Sequence, residues 1–188
     1  MKIRLATEEI QRDSIVDGEG IRSVIWTQGC IHNCKACHNP ETHSFTSGYL
    51  FDVEDIIKKI DTLEGQDGIT FSGGDPMEQP KACYNIAKHC KELGLNIWCY
   101  TGYTYEELID RSKLFPDIKR FLEQIDVLVD GKFILEQKSL NLKFRGSRNQ
   151  RIIDVPKSLK ENKVCLIPKY ITDKNYEKIA KKGHYMYV

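Results

Sequence analysis

The chain repeats one local pattern, in which a short apolar run ends in a turn of glycine and polar residues and an amphipathic helical pattern follows. The predicted strands cover 23–27, 69–71, 95–100 and 125–129, with 164–167 as a later strand and 152–153 as a weaker candidate. Strands that alternate with helices pair in parallel and place the helices on the faces of the sheet. We therefore predict an α/β fold. The units are too few for a closed eight-fold barrel, which favours a partial, open (β/α) barrel.

Start and stop signals locate the helices between these strands. Asp52 precedes apolar residues spaced for one helix face, and a second helix begins near Pro80. The second helix carries its predicted apolar stripe at Cys83, Ile86, Ala87, Cys90 and Leu93. Thr104 and Glu107 have the spacing of a capping box, which predicts the start of a third helix. Residues 173–182 predict a last, mostly polar helix.

Composition limits the classes of protein that the chain can belong to. With 28 basic and 27 acidic residues the net charge is +1, which gives no argument for binding nucleic acid or a membrane surface. The sequence shows no apolar leader and no stretch of about 18 apolar residues, so we expect a cytoplasmic protein. Seven cysteines, three of them crowded together, fit a reducing compartment better than a disulfide framework. Without repeats or linkers, residues 1–188 are predicted to form a single domain.

Turns that could bind a ligand follow four of the predicted strands. They are the cysteine-containing loop after the first strand, 73–75 after the second, 101–102 after the third and 130–132 after the fourth. In parallel sheets the loops at the carboxyl ends of the strands carry the functional site. We therefore expect these four segments to meet at one edge of the sheet.

Three cysteines, Cys30, Cys34 and Cys37, lie within eight residues of one another. Four thiolates close the coordination of an iron–sulfur cluster or a structural zinc ion. Three therefore indicate a 4Fe-4S cluster with one iron open to a small molecule. The alternative that remains is a zinc site, completed by His32 or His38.

The loop at 72–76, Ser-Gly-Gly-Asp-Pro, contains two adjacent glycines directly after a strand. Glycine lets a backbone approach a ligand closely, although a tight turn into a helix needs much the same residues. Because this loop is expected at the same edge as the cysteines, the two features together predict a cofactor site.

Six segments carry a resemblance to a known family. They are Asp-Gly-Glu-Gly-Ile-Arg at 17–22, Cys-His-Asn-Pro-Glu-Thr at 37–42, Thr-Phe-Ser-Gly-Gly-Asp-Pro at 70–76, Tyr-Thr-Gly-Tyr-Thr at 100–104, Val-Leu-Val-Asp-Gly-Lys-Phe at 127–133 and Phe-Arg-Gly-Ser-Arg-Asn-Gln-Arg at 144–151. With the cysteine spacing they resemble the radical S-adenosylmethionine (SAM) superfamily. Within it, they are similar to the activating proteins of anaerobic (class III) ribonucleoside-triphosphate reductases. The resemblance runs from about residue 17 to residue 155.

The resemblance implies how the cofactors are bound. Each of the three cysteines would hold one iron of a single 4Fe-4S cluster, while SAM chelates the open fourth iron. The backbone of Gly73, Gly74 and Asp75 would bind the amino group of SAM, with aspartate standing where the superfamily has glutamate.

Further positions follow from the same resemblance. Ala36, Cys37 and His38 would line the SAM pocket, and Ala36 stands where much of the superfamily has an aromatic residue. Asp130 and Lys132 match positions that contact SAM in related activating enzymes. The alternative for this pair is a strand-end turn with solvated charges.

The implied activity is that of a glycyl-radical activating oxidoreductase. It would cleave SAM to methionine and a 5′-deoxyadenosyl radical, which removes an α-hydrogen from a glycine of the anaerobic reductase. A flavodoxin- or ferredoxin-like protein would supply the electron. The alternatives are an activating enzyme for another glycyl radical enzyme, such as pyruvate formate-lyase, and, more distantly, a non-catalytic zinc or electron-transfer module.

Two features lie outside the implied site. The dispersed cysteines are predicted to pack as small apolar side chains in the core, which leaves one cluster per chain; they are Cys83, Cys90, Cys99 and Cys165. The segment 144–151 holds three arginines, including Arg145 and Arg151, and is either a solvated loop or a docking surface for the partner enzyme.

Overall fold

A computed structural model describes residues 1–171 and 186–187 of the chain. The strands are β1 (Lys2–Leu5), β2 (Gln11–Ser14), β3 (Arg22–Thr27), β4 (Tyr49–Asp52), β5 (Gly68–Gly73), β6 (Asn96–Tyr100), β7 (Val127–Asp130), β8 (Arg151–Asp154), β9 (Cys165–Leu166) and β10 (Met186–Tyr187). The helices are α1 (Val53–Asp61), α2 (Pro80–Glu92), α3 (Tyr105–Ser112), α4 (Pro116–Leu122) and α5 (Val155–Glu161). The helix predicted at 173–182 lies outside the described residues.

The strands form one sheet in the order β10-β9-β8-β7-β6-β5-β3-β1-β4, with β2 paired to β3. The four central strands β3, β5, β6 and β7 are parallel neighbours, as the alternating pattern predicts. This order confirms the α/β class. The strands β10 and β4 lie at the two edges of the sheet. The curvature of a partial barrel stays a prediction.

The prediction of parallel pairing fails on both sides of the four central strands, at β8 and at β1, although β9 and β10 are again parallel. β8 pairs antiparallel with β7 and with β9, and β1 pairs antiparallel with β3 and β4. A parallel neighbour needs a crossover connection, usually a helix, that returns the chain to the starting edge. Residues 131–150 between β7 and β8 contain a single short 3₁₀ turn and no crossover helix, so the chain re-enters the sheet at the same end at which β7 leaves it.

Three strands near the N-terminus, β1, β2 and β4, were not predicted, and of these β1 and β2 contain no apolar run. β2 reads Gln-Arg-Asp-Ser, and three of its four residues are exposed. β1 and β4 are short strands that pair with each other over four residues at the edge of the sheet. Here hydrogen bonding to an existing sheet decides the conformation, and local side-chain preference contributes little.

The core lies on both faces of the central strands because successive side chains alternate between the faces. Ile97 and Cys99 of β6 belong to the larger cluster, which also contains the buried faces of α1 to α4. Trp98, which lies between them in the sequence, belongs to a smaller cluster on the other face with Val129 and Tyr170. The helices therefore cover one face of the sheet, and the smaller cluster covers part of the other.

Most of the predicted helix features are confirmed. The stripe of α2 is buried at Cys83 and Cys90, whereas Leu93 is exposed because the helix ends one residue earlier. Thr104 and Glu107 form the predicted capping box. Asp52 lies at the N-cap of α1, but its side chain makes no capping hydrogen bond and instead pairs with Lys2 at 2.7 Å. Within the described residues, no helix is long and apolar enough to span a membrane.

Candidate cofactor site

The cysteine-containing loop and the 72–76 loop are joined backbone to backbone. The Gly74 amide donates to the carbonyl of Thr27 at 2.7 Å, and the Asp75 amide donates to the carbonyl of Gly29 at 2.8 Å. These bonds continue the pairing of β3 with β5 beyond the ends of the two strands. They hold the start of the cysteine loop directly beside the two glycines.

The loops after β6 and β7 join the same edge of the sheet. The Gly102 amide donates to a carboxylate oxygen of Asp75 at 2.9 Å, and the Gly131 amide donates to the carbonyl of Tyr103 at 3.0 Å. All four strand-end loops therefore meet in one place. The predicted convergence is confirmed.

Packing alone gives a reason for the two adjacent glycines. A Cβ at Gly73 would lie 2.5 Å from the carbonyl oxygen of Thr27, and one at Gly74 would come closer than 3.0 Å to the carbonyl of Gly29. Gly73 also has a φ of +104°, which side chains rarely adopt. The 72–76 loop can approach the cysteine loop this closely because both residues lack a Cβ.

The three cysteines of the predicted cluster are free thiols, and each is partly exposed. Two residues of this loop, Asn33 and Ala36, have left-handed backbones with φ of +46° and +56°. The backbone amide of Asn39 donates to the sulfur of Cys37 at 3.4 Å, and the backbones of His32 and Phe133 favour the thiolates of Cys30 and Cys34. Hydrogen bonds of this kind tune the reduction potential of an iron–sulfur cluster.

Burial raises the pKa of the Cys30 thiol to about 11 and raises the pKa of Cys34 as well. Without a metal both groups are therefore protonated near neutral pH. Binding to iron has to release these protons, and the positive charge of the iron compensates for the unfavourable burial of the thiolates. Three partly exposed thiols on one loop fit the donor set of a 4Fe-4S cluster with one open iron.

The geometry does not favour the alternative of a zinc site. A tetrahedral zinc ion with bonds of about 2.3 Å needs its sulfur ligands about 4 Å apart. Among the described residues, the group of ligand atoms lying within 4.8 Å of one another contains one cysteine, Cys30, together with His32 and Asp75. His32 is hydrogen-bonded to Asp75, and the ring of His38 packs on that of Phe133 at 4.9 Å.

Asp75 is the most heavily bonded side chain in the site, and it is fully buried. Its oxygens accept from the hydroxyl of Thr101 at 3.0 Å and from the amide of Met77 at 3.0 Å, in addition to the Gly102 amide. One oxygen lies 2.8 Å from Nε2 of His32. A single carboxylate thus connects the cysteine loop, the 72–76 loop and the loop after β6.

The side chain of Asp130 is buried, and both of its carboxylate oxygens accept hydrogen bonds from other residues of the protein. Its Oδ1 accepts from Nε of Arg151 at 2.9 Å, and its Oδ2 accepts from the amide of Tyr105 at 2.7 Å and also from Nη2 of Arg151. Arg151 also binds Glu106 at 2.6 Å. Burial alone would lower the pKa of the Arg151 guanidinium, but the two carboxylates outweigh that effect and raise it. The alternative of a solvated charge pair at Asp130 is therefore wrong.

The arginines of the 144–151 segment do not form one exposed surface. Arg151 is buried against Asp130, and Arg145 is buried with its guanidinium bound to the carbonyls of Gln150 and Tyr170, each at 2.9 Å. The description of this segment as a solvated loop is wrong for both residues. Gly146 packs instead on the rings of His38 and Phe133, beside the cysteine loop.

Comparison with known proteins identifies the family. The family described as "4Fe-4S single cluster domain" matches residues 16–153. The anaerobic ribonucleoside-triphosphate reductase-activating protein of Haemophilus influenzae is 38% identical over 148 residues, which cover 73% of this chain and 90% of that protein. Its counterpart in Vibrio cholerae is 39% identical with the same coverage. The chain belongs to the anaerobic ribonucleoside-triphosphate reductase-activating protein family.

This membership confirms the predicted family, and with it that the chain is an activating enzyme with a 4Fe-4S cluster domain. A pyruvate formate-lyase-activating enzyme, from Clostridium pasteurianum, is also similar to this chain. It is 37% identical over 135 residues, which cover 65% of this chain and 56% of that enzyme.

Not every segment that resembles the family lies at the site. Residues 17–21 precede β3 and Arg22 begins it, whereas the cysteine loop follows the strand, so the two segments lie at opposite ends of β3. Arg22 of this segment is fully buried and bonded to β5 and β6. In this member of the activating-protein family, the segment 17–22 connects strands and does not contact the cofactor loops.

The structure places the remaining predicted residues around the cysteines. Ala36 and His38 are exposed on the cysteine loop, and Lys132 is exposed close enough to Cys34 to lower the pKa of that thiol. Sequence reasoning missed the contacts of His32 with Asp75 and of Arg151 with Asp130. The contact of Arg151 with Asp130 depends on the antiparallel register of β7 and β8, and no sequence pattern predicted that pairing.

Proposed function

We propose that the chain generates a glycyl radical on an anaerobic ribonucleoside-triphosphate reductase. In this reaction SAM is cleaved reductively to methionine and a 5′-deoxyadenosyl radical, which removes the α-hydrogen of one glycine of the reductase. The observation that carries the proposal is the hydrogen bond, 2.8 Å long, from the Asp75 amide to the carbonyl oxygen of Gly29. This bond fixes the 72–76 loop beside the loop that contains the three cysteines. The names of the relatives supply the partner.

The chain's own residues would hold both cofactors. Cys30, Cys34 and Cys37 would ligate a 4Fe-4S cluster and leave one iron open. When bound, the cluster supplies the electron that breaks the bond between sulfur and C5′ of SAM. The hydrogen bond from the Asn39 amide to the sulfur of Cys37 and the partial exposure of the three thiols are the means by which this chain would tune the cluster's potential.

The backbone at 73–75 suits an ammonium group. The amides of Gly74 and Asp75 are used to bind the cysteine loop, so they are not donors for a ligand. An ammonium is itself a donor and needs acceptors, which the carbonyl oxygens of the same segment can supply. We therefore assign the amino group of SAM to the backbone of Gly73, Gly74 and Asp75, and the side of the pocket to Ala36, Cys37 and His38.

Asp130 and Lys132 receive different roles in this proposal. Because both oxygens of Asp130 are bonded to Arg151 and Tyr105, Asp130 would fix the loop after β7 and act on SAM through that loop. Lys132 is exposed beside Cys34 and is free to approach the carboxylate of bound SAM. We retain it as a SAM contact.

The partner has to reach the cofactors from the exposed side of the cysteine loop. On one side of the site the side chains of Asp75, Thr101 and Tyr103 are buried in the protein. On the other side the cysteines are partly exposed and Ala36 is exposed. A glycine within another protein's chain can approach from that outer side. The same surface would admit a flavodoxin- or ferredoxin-like electron donor.

Electron paramagnetic resonance (EPR) of the reconstituted, reduced protein with SAM and the reductase tests the proposal. We expect a glycyl doublet that requires SAM and disappears in Cys34→Ala. Cys90→Ala is the matched control, since that thiol is buried in α2 away from the loops, and it should retain the doublet. A protein that contains no iron–sulfur cluster, or one that cleaves no SAM, would contradict the proposal.

Activation of pyruvate formate-lyase is the second candidate, and the similarity to the Clostridium pasteurianum enzyme supports it. The same EPR experiment distinguishes the two partners when pyruvate formate-lyase replaces the reductase. A doublet on the reductase alone supports the first proposal. A doublet on pyruvate formate-lyase alone would replace it with the second.

A further inference from the structure

His32 lies between two of the predicted cluster ligands, yet its side chain points into the protein. The side chain is 4% exposed, and its Nε2 lies 2.8 Å from Oδ2 of Asp75. Its ring meets the ring of Tyr103 edge to face, with 4.4 Å between the centroids. A histidine on an otherwise exposed loop therefore anchors that loop to two neighbouring segments.

The surroundings of His32 are shaped to its ring. A Cβ on Gly102 would come closer than 3.0 Å to three atoms of the imidazole, so the absence of a side chain there makes room for the ring. Tyr103 is itself held, because its hydroxyl donates to Glu78 and the guanidinium of Arg111 lies 4.4 Å above its ring. His32 consequently occupies a fitted pocket.

Asp75 is held in one orientation independently of His32. The hydroxyl of Thr101 and the amides of Met77 and Gly102 all donate to its carboxylate. The carboxylate is thus a fixed acceptor, and the hydrogen bond to His32 is the side-chain link between the cysteine loop and this fixed group.

We propose that His32 is a positioning residue that sets the cluster loop against the SAM-binding loop through its bond to Asp75. The inference rests on the proposed function, in which the cysteines hold the cluster and residues 73–75 bind the amino group of SAM. Chelation by SAM requires the open iron and the amino-group site to lie at one fixed separation. Residues that orient metal ligands from outside the coordination sphere act in this way.

The test compares variants of this link with a matched control. His32→Ala removes the link, His32→Gln restores a donor near the position of Nε2, and Gly102→Ala displaces the ring without changing either partner. His89→Ala is the control, because it removes another histidine–aspartate contact, 2.6 Å from Asp61, on the outside of α2. The readouts are iron content, the EPR signal of the reduced cluster, and the SAM concentration that half-converts this signal.

We expect His32→Ala and Gly102→Ala to keep their iron and their SAM-free EPR signal. Both should need about 10-fold more SAM or higher to convert the signal, as outer-sphere changes do at other metal sites. His32→Gln should recover most of the affinity, and His89→Ala should match the wild type. A purely structural role would lower the melting temperature of His32→Ala and leave the SAM titration unchanged.

Three results would overturn the inference. The first is an unchanged SAM titration in His32→Ala and Gly102→Ala. The second is loss of the cluster in both variants, because His32 would then support cluster binding itself. The third is a wild-type signal that does not respond to SAM, which would remove the proposed function together with the inference. The wild-type titration therefore separates the failure of the proposed function from the failure of the inference.

Discussion

Arg151 lies directly opposite Asp130 in the antiparallel register of β7 and β8, and its guanidinium binds both oxygens of that buried carboxylate. The same guanidinium reaches Glu106 in α3. This one arginine, in β8, therefore joins β8 to β7 and to α3. It closes the end of the sheet on which the cofactor loops are built.

Arg151→Met should strongly destabilise the protein, because it leaves the carboxylate of Asp130 buried without its partner. We expect the free energy of unfolding to fall by about 3 to 5 kcal/mol in urea denaturation of the wild type and the variant. Glu106→Gln, which changes the exposed partner of the same arginine, should cost no more than about 1 kcal/mol. Equal losses for the two variants would show that the buried pair is not the important contact.

The adjacent glycines can be tested one property at a time. Gly74→Ala introduces a clash of the new Cβ with the Gly29 carbonyl, and Gly73→Ala combines such a clash with an unfavourable positive φ. Gly65→Ala tests a positive φ alone, because no atom lies within 4 Å of a Cβ at that position. We expect Gly65→Ala to lower the free energy of unfolding by about 1 to 2 kcal/mol and to leave iron incorporation intact.

The two loop variants should behave differently from Gly65→Ala. Gly73→Ala and Gly74→Ala should each lose most of the reconstituted iron, because the 72–76 loop can no longer lie against the cysteine loop. Iron content per chain and the EPR signal of the reduced cluster measure this. Normal cluster signals in both variants would show that the close backbone approach is dispensable.

Alkylation of the metal-free protein should distinguish two classes of cysteine. Four cysteines, Cys83, Cys90, Cys99 and Cys165, are fully buried and out of reach of a reagent, whereas the three of the cysteine loop are partly exposed, and burial raises the pKa of the Cys90 and Cys99 thiols. Iodoacetamide at mildly alkaline pH should add three groups to the native chain and seven after denaturation, as counted by mass spectrometry. More than three adducts on the native chain would contradict the predicted core packing.

Arg22 is a buried cation that donates its hydrogen bonds to neutral groups. Its guanidinium donates to the hydroxyl of Thr70, to the carbonyls of Ile69, Asn96 and Glu19, and to the amide oxygen of Asn96. Burial lowers its pKa to about 10, which still leaves it charged at neutral pH.

Because lysine cannot reproduce this fork of donors, Arg22→Lys should cost about 2 kcal/mol or more of unfolding free energy. Arg12→Lys, on the exposed strand β2, is the matched control and should change stability by less than about 0.5 kcal/mol. Similar urea midpoints for both variants would refute the importance of the guanidinium geometry.

Local sequence predicted the central part of the fold well. The four parallel strands follow apolar runs, and the turns that follow them contain glycine, so alternation alone predicts where the cofactor loops meet. It did not predict β1, β2 and β4, and it located β8 at 152–153 without its antiparallel pairing, because these features depend on strands distant in the sequence. When pairing with another strand decides the conformation of such short segments, their sequences need not show the alternation of apolar and polar residues that is typical of strands.

The cysteine spacing and the glycine pair by themselves determined the chemistry to be expected, because ligand type and backbone freedom are properties of single residues and their immediate neighbours. Only the tertiary structure decided which side chains hold the loops together. His32 is hydrogen-bonded to Asp75, which is 43 residues away in the sequence, and Arg151 is hydrogen-bonded to Asp130, which is 21 residues away. Such contacts depend on strand order and register, which arise when the whole sheet assembles and cannot be read from any one segment.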